Sequence, residues 1–257
     1  MKKLLIIPDR NHMEKCLEWS RKYQLGFEYD DFFHPSVLED SAKTEQIINE
    51  YRKFKLPEYT TVHGDFFDVI PFSPDSRIRE ISDLRIEQSI TVAQKIGAKA
   101  VVFHTNYNPF LNTEDYVKSW VDINAEYWSS VLERHSDIHI YLENMFDTTP
   151  DIMEKLSERL CKYANYGVCL DYAHAAPSKT TPEVWAKQLG SYIKHVHIND
   201  NDYVSDLHQA WGDGKINRDA FYDCYEKYMK NATVLIETRA MENIIRSLEV
   251  LEQEGFL

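Results

Sequence analysis

The sequence predicts one α/β domain spanning residues 1–257, a (β/α)8 TIM barrel with a metal site at the C-terminal face of its strands. Eight short β-branched apolar runs recur along the chain, and longer amphipathic stretches alternate with them, the pattern of parallel βαβ units. A length of 257 residues suits a single closed barrel, and no linker, low-complexity segment or composition shift marks a second domain. The competing architecture, an open doubly wound sheet, wants a glycine-rich phosphate turn after its first strand. IIPDRNHM supplies no glycine there.

The predicted strands are KLLIIP (3–8), LGFEY (25–29), YTTVH (59–63), AVVFH (100–104), IHIYLE (138–143), YGVCLD (166–171), YIKHVHI (192–198) and TVLIE (233–237). Residues 75–97 form a helix whose packed stripe is predicted as Ile78, Ile81, Leu84, Ile90 and Ala93, with Gly97 as the C-terminal glycine. Residues 112–135 form another, capped by Asn112 or Thr113.

Hydrophobic residues at 43% and charged residues at 28% are ordinary for a globular enzyme. A net charge of −13 opposes broad attraction to a phosphate backbone, although divalent cations on those carboxylates would offset part of it locally. Cys16, Cys161, Cys169 and Cys224 are scattered without a C-x-x-C pair, which suggests reduced, structural thiols. MKKLLIIPDR has too short an apolar run for a signal peptide, and no stretch reaches the roughly 18 apolar residues of a membrane span. A cytoplasmic protein is expected.

Side chains alternate between the faces of a strand. In IHIYLE, Ile138, Ile140 and Leu142 share the face toward the helices, leaving His139, Tyr141 and Glu143 toward the barrel axis. The same phase turns His63, His104, Asp171, His197 and Glu237 inward at the ends of their strands. Barrel active sites assemble at that face. Three ionised carboxylates gathered there resist burial, and a divalent cation removes the conflict. A lone strand-end histidine is usually a hydrogen-bonded structural residue, but six such groups in register point to metal. Mixed imidazole and carboxylate donors suit Zn2+, Mn2+ or Co2+ more than Ca2+.

Seven stretches carry a resemblance: TVHGDFF (61–67), VVFHTN (101–106), IYLENM (140–145), GVCLDYAHA (167–175), HVHIND (195–200), SDLHQAWGDGKINRDAF (205–221) and VLIET (234–238). Through them the chain resembles the xylose-isomerase-like TIM barrels, the superfamily of sugar isomerases and epimerases and of endonuclease IV-type AP endonucleases (AP endonuclease family 2). The endonuclease branch implies nine ligands on three metals, here His63, His104, Glu143, Asp171, His174, His197, Asp206, His208 and Glu237. The epimerase branch implies four ligands on one metal, here Glu143, Asp171, His197 and Glu237, with the two glutamates as the acid–base pair.

The early loops depart from the endonuclease pattern. GFEYDD puts Glu28, Asp30 and Asp31 where a phosphate backbone wants positive charge, and Glu28 resembles the acidic strand end of sugar isomerases. Phe66 and Phe67 suit either a wedge into a base stack or a wall for a sugar, and Trp211 is a second candidate wall. The favoured expectation is an isomerase or epimerase of a small sugar, sugar phosphate or polyol, working through a metal-stabilised enediolate with Glu143 and Glu237 moving the proton. The alternative is a phosphodiesterase with a two- or three-metal site. The resemblance implies Zn2+ or Mn2+ as cofactor, with Co2+ or Mg2+ as substitutes. The expected partner is a small carbohydrate, with duplex DNA disfavoured, no membrane, and assembly into a homo-oligomer left open. Asp206 and His208 discriminate, because a one-metal epimerase has no use for them. In the same stretch His195 is expected as a buried partner behind the ligands, Asn199 and Asp200 as loop-shaping, and Asp202 and Asp213 as solvated.

Overall fold

A computed structural model describes residues 3–66 and 69–257, so Phe67 lies outside the described residues. Eight parallel strands close a barrel in sequence order: β1 (Leu4–Ile6), β2 (Gly26–Tyr29), β3 (Thr60–His63), β4 (Ala100–His104), β5 (His139–Glu143), β6 (Tyr166–Asp171), β7 (Ile193–Ile198) and β8 (Thr233–Ile236). β1 pairs with both β2 and β8, which completes the ring. Each strand falls within its predicted run, and β4 and β6 coincide with theirs residue for residue.

The alternation expected of β5 holds around the barrel. Val101, Phe103, Ile140, Leu142, Val168, Leu170, Val196 and Ile198 face outward into one continuous core with the helices. Inward side chains fill the axis in smaller layers, Leu5, Ile7 and Leu235 in one and Ala100, Val102, Tyr141 and Cys169 in another. Burying a side chain of this size stabilises the fold by about 1.5–3 kcal/mol.

The first long helix runs Ser76–Ile96. The Asp75 carboxylate caps its start by accepting from the Arg77 amide, and Gly97 ends it at φ 80°, a left-handed conformation that glycine adopts without strain. The predicted stripe needs correction. Ile86, Ile90 and Ala93 are buried, but Ile78, Ile81 and Leu84 are 38–47% exposed. The first half of the helix faces the loop after β3, so its contacts are polar. Ser82 Oγ accepts from the Ile70 amide and Ser89 Oγ from the Asp65 amide. The second long helix, Glu114–Arg134, starts at Thr113, whose hydroxyl accepts from the Tyr116 amide. Among the described residues no helix is long and apolar enough to cross a membrane.

Candidate metal centre

The C-terminal ends of the strands bring the nine predicted ligands into three contiguous clusters. His63, His104 and Glu143 form one, Glu143, Asp171, His197 and Glu237 a second, and His174, Asp206 and His208 a third; within each, the donor atoms lie within 4.8 Å of one another. Glu143 belongs to two of them. Its Oε2 lies 3.5 Å from His63 Nε2, 3.4 Å from His104 Nε2 and 3.5 Å from His197 Nδ1, and its Oε1 lies 3.4 Å from His174 Nδ1.

These residues fit a bound cation on two grounds. Both ring nitrogens of His104, His197 Nδ1, both oxygens of Glu143 and Asp171 Oδ2 are buried without a hydrogen-bond partner. A buried polar atom left unpaired costs about 1–3 kcal/mol, so this concentration at one place calls for a ligand. The spacing agrees. Charge-assisted hydrogen bonds close to about 2.7–2.9 Å, whereas tetrahedral donors about 2.0–2.1 Å from a zinc ion stand about 3.4 Å apart, as the Glu143 contacts do.

Backbone carbonyls set the orientation of three imidazoles. His63 Nδ1 donates to Gly64 O, His174 Nδ1 to Asn144 O and His208 Nδ1 to Glu237 O, at 2.9–3.0 Å. A carbonyl only accepts, so the proton sits on Nδ1 and Nε2 is turned into the cavity, the usual support for a metal-binding histidine. Asp171 has two uses. Its Oδ1 accepts from the His174 amide at 2.6 Å and starts the short helix Tyr172–Ala175, while Oδ2 stays free.

The metal-free charge balance is strained in the expected direction. Burial, together with Glu237 and Glu143 nearby, pushes the Asp171 carboxyl well above the usual range. Burial also opposes ionisation of Glu143, but His197 and His104 overcome it and hold that carboxyl low. Burial would lower the His208 pKa, yet Asp206 and Glu237 push it up to about 10.

His195 has the role expected of it. Its Nε2 lies 3.1 Å from Glu28 Oε2 and its Nδ1 2.5 Å from Thr233 Oγ1, while Glu28 Oε1 lies 3.2 Å from His197 Nε2. Glu28 was expected to contact substrate. It lines the cavity floor, with its buried carboxylate held by Thr61 and His195 and lying 3.2 Å from His197 Nε2, so it also braces a candidate ligand histidine. Trp211 corrects the reading. It is fully buried, edge-on to Phe221 at 5.2 Å, with its indole N–H donated to the Tyr222 hydroxyl. The loop that carries it turns back toward the helices, so Trp211 is core. Phe66 does line the cavity, stacked on Phe33 at 5.3 Å.

Asp200 builds the loop that presents Asp206 and His208. Its carboxylate accepts from the amides of Asn201, Gly212 and Ile216. A Cβ on Gly214 would fall 2.3 Å from Asp200 Oδ1, so the second glycine of Gly-Asp-Gly is required by close approach. Asn199 Nδ2 reaches Glu237 Oε2 at 3.4 Å, Asp213 is exposed as expected, and Asp202 is half-buried. Cys169 is a candidate donor that the sequence reading missed. It lies inward on β6, two residues before Asp171, within 4.8 Å of the donor atoms of His195 and His197. The alternation in YGVCLD carries that signal.

The acids that argued against a phosphate backbone are all partnered internally. Asp31 accepts from Arg10 and Tyr51, and Asp30 lies 2.6 Å from the Arg239 guanidinium, which itself covers the Phe33 ring at 4.8 Å. Arg239 thus brings a positive charge to a cavity of about 410 Å3, lined also by Phe33, Phe66, His63, His208 and Glu237.

A closed parallel barrel with imidazole and carboxylate donors at its C-terminal mouth defines the class. The chain belongs to the xylose isomerase-like TIM barrel family, whose model matches residues 22–254. It is 29% identical over 205 residues to the uncharacterized protein MJ1311 of Methanocaldococcus jannaschii, covering 75% of this chain and 68% of that one. Among solved structures it is similar to the TTHB071 protein from Thermus thermophilus soaked with ZnCl2, at 25% identity and TM-score 0.77, with 98% of this chain and 97% of that chain covered. It also shares the fold of a D-tagatose 3-epimerase-like protein, at 24% identity and TM-score 0.76, covering 98% and 96%.

Proposed function

We propose that the protein is a metal-dependent hydrolase of a small phosphate ester, working with two or more divalent cations, zinc or manganese first among them. The observation that carries this reading is the third donor cluster, His174, Asp206 and His208, assembled beside the central four ligands. A one-metal enzyme has no use for it. Divalent cations at these clusters would acidify a water molecule and neutralise the charge of a phosphoryl group.

The chain's own residues do the rest. The carbonyl-clamped imidazoles of His63, His174 and His208 arrive already oriented, which removes their reorganisation from the reaction. Phe33 and Phe66 wall off water, and Arg239 offers a guanidinium at the rim for an anionic group of the substrate. A cavity of about 410 Å3 fits a small molecule. The TTHB071 protein, studied with ZnCl2, supports the choice of cation. Four free cysteines, three of them buried, support a reducing, cytoplasmic setting.

A second reading is proton transfer on a small sugar, sugar phosphate or polyol. It is favoured by the presence of both Glu143 and Glu237 in the central cluster, and by the epimerases that share the fold. In its way stands the position of Glu143, which faces two clusters at once and has no oxygen to spare as a base when both are filled. One experiment separates the two. The protein is incubated with bis(p-nitrophenyl) phosphate, and separately with ketoses in D2O. Phosphodiester cleavage without deuterium uptake supports hydrolysis. Deuterium beside the ketose carbonyl, without cleavage, replaces it with isomerisation.

A further inference from the structure

The opposite mouth of the barrel, at the N-terminal ends of the strands, holds two adjoining cavities of about 650 and 400 Å3 that share Lys3, Tyr59, His139 and Tyr141. The smaller is lined by Lys3, Lys194 and Lys230 and by no carboxylate. Topology delivers these lysines together. Lys3 precedes β1, Lys194 is the second residue of β7 and Lys230 precedes β8, and the three strands are neighbours in the closed sheet.

All three ammonium groups stand on exposed residues, and among the described residues none of them forms an ion pair. Lys194 Nζ donates to Ser191 O at 3.0 Å, and Lys3 Nζ lies 4.9 Å above the Tyr59 ring. In a chain of net charge −13, three cations on one cavity whose lining has no carboxylate run against the overall balance, and an anion bound there relieves their repulsion. The larger cavity differs in character. It offers Glu58 and Asp137 beside Pro57, Leu25 and Lys99, acceptors suited to hydroxyl groups.

We propose that this mouth binds a small phosphorylated ligand bearing hydroxyl groups, with its phosphate held by Lys3, Lys194 and Lys230 and its body in the larger cavity. The site shares no residue with the metal centre, and the interior layer of Tyr141, His195 and Thr233 lies between them.

The test is calorimetric titration of the purified protein with D-glucose 6-phosphate, using D-glucose as the uncharged control. With the metal centre emptied by chelation, the protein binds one equivalent of the phosphate and no glucose. Lys194→Gln and Lys230→Gln each weaken binding roughly tenfold, the loss of one charge-assisted hydrogen bond. The Lys194→Arg/Lys230→Arg variant retains binding, and a His174→Ala/His208→Ala variant binds as the wild type does. Lysine acetylation of the unmutated protein gives an independent readout, with Lys3, Lys194 and Lys230 protected by the ligand. Unchanged affinity in the glutamine variants, absence of protection, equal binding of glucose, or loss of binding in the histidine variant instead would each overturn the proposal.

Discussion

Replacing Asp206 by alanine removes one donor from the third cluster while leaving the central four ligands whole. Asp206 Oδ2 lies 3.0 Å from His208 Nε2 and 3.4 Å from His174 Nε2, on a side chain that is 38% exposed. An ion pair so open to solvent contributes about 0.2–1 kcal/mol, which for a chain of this size lowers Tm by no more than about 2–4 °C. His174 still faces Asp171 and Glu143, so no bare charge is left buried. The effect on metal is far larger. Loss of a hydrogen-bond partner behind a ligand costs 10–100-fold in affinity, so loss of a donor itself costs roughly 100-fold or more. Asp206→Ala therefore keeps its fold, loses one cation per chain by elemental analysis after dialysis, and cleaves bis(p-nitrophenyl) phosphate roughly 100-fold more slowly. Unchanged metal content and turnover would refute the reasoning, since the third cluster would then be idle.

Three further outcomes follow from the same geometry. Glu237→Gln abolishes turnover with circular dichroism and Tm close to the wild type, because the residue stands at the catalytic mouth of the barrel; unfolding in its place counts against the site. Trp211→Ala lowers stability by about 3–5 kcal/mol in denaturant titration, as a fully buried indole should, with no change in the metal content of the folded fraction. Burial would lower the His208 pKa, but Asp206 and Glu237 raise it to about 10, so a cation entering the third cluster displaces a proton at neutral pH. Calorimetry in buffers of different ionisation heat should show proton release, and binding that tightens as pH rises. In the metal-free protein the sign is reversed: a folded pKa above the unfolded value of about 6.5 stabilises the fold below that pH, and the gain fades as pH rises toward 10.

Much of the barrel was legible because strand signals are local. YGVCLD reads as a buried strand from its own residues, and alternation alone sends Asp171 inward and Leu170 outward. The candidate ligands were legible because each ends a strand or sits in a short motif, and the fold brings their donor atoms into the three clusters. What failed depended on distant partners. Nothing in SDLHQAWGDG shows that the chain turns back to bury Trp211 against Phe221 and Tyr222. GFEYDD reads as a repulsive acidic loop until Arg10, Tyr51, Arg239 and His197 arrive from other elements to partner its carboxylates. The stripe of Ile78, Ile81 and Leu84 has helical spacing, but the face that packs in that half of the helix carries Ser82 and Arg85, and periodicity does not identify neighbours.

The central claim is that three neighbouring donor clusters, two of them sharing Glu143, hold more than one cation. Anomalous diffraction at the zinc edge, on crystals of the zinc-reconstituted protein, tests it most directly. The geometry predicts a peak among Glu143, Asp171, His197 and Glu237 and a second among His174, Asp206 and His208, with the His63, His104 and Glu143 cluster able to take a third. A single peak at the central four ligands, with Asp206 and His208 turned to solvent, would contradict it.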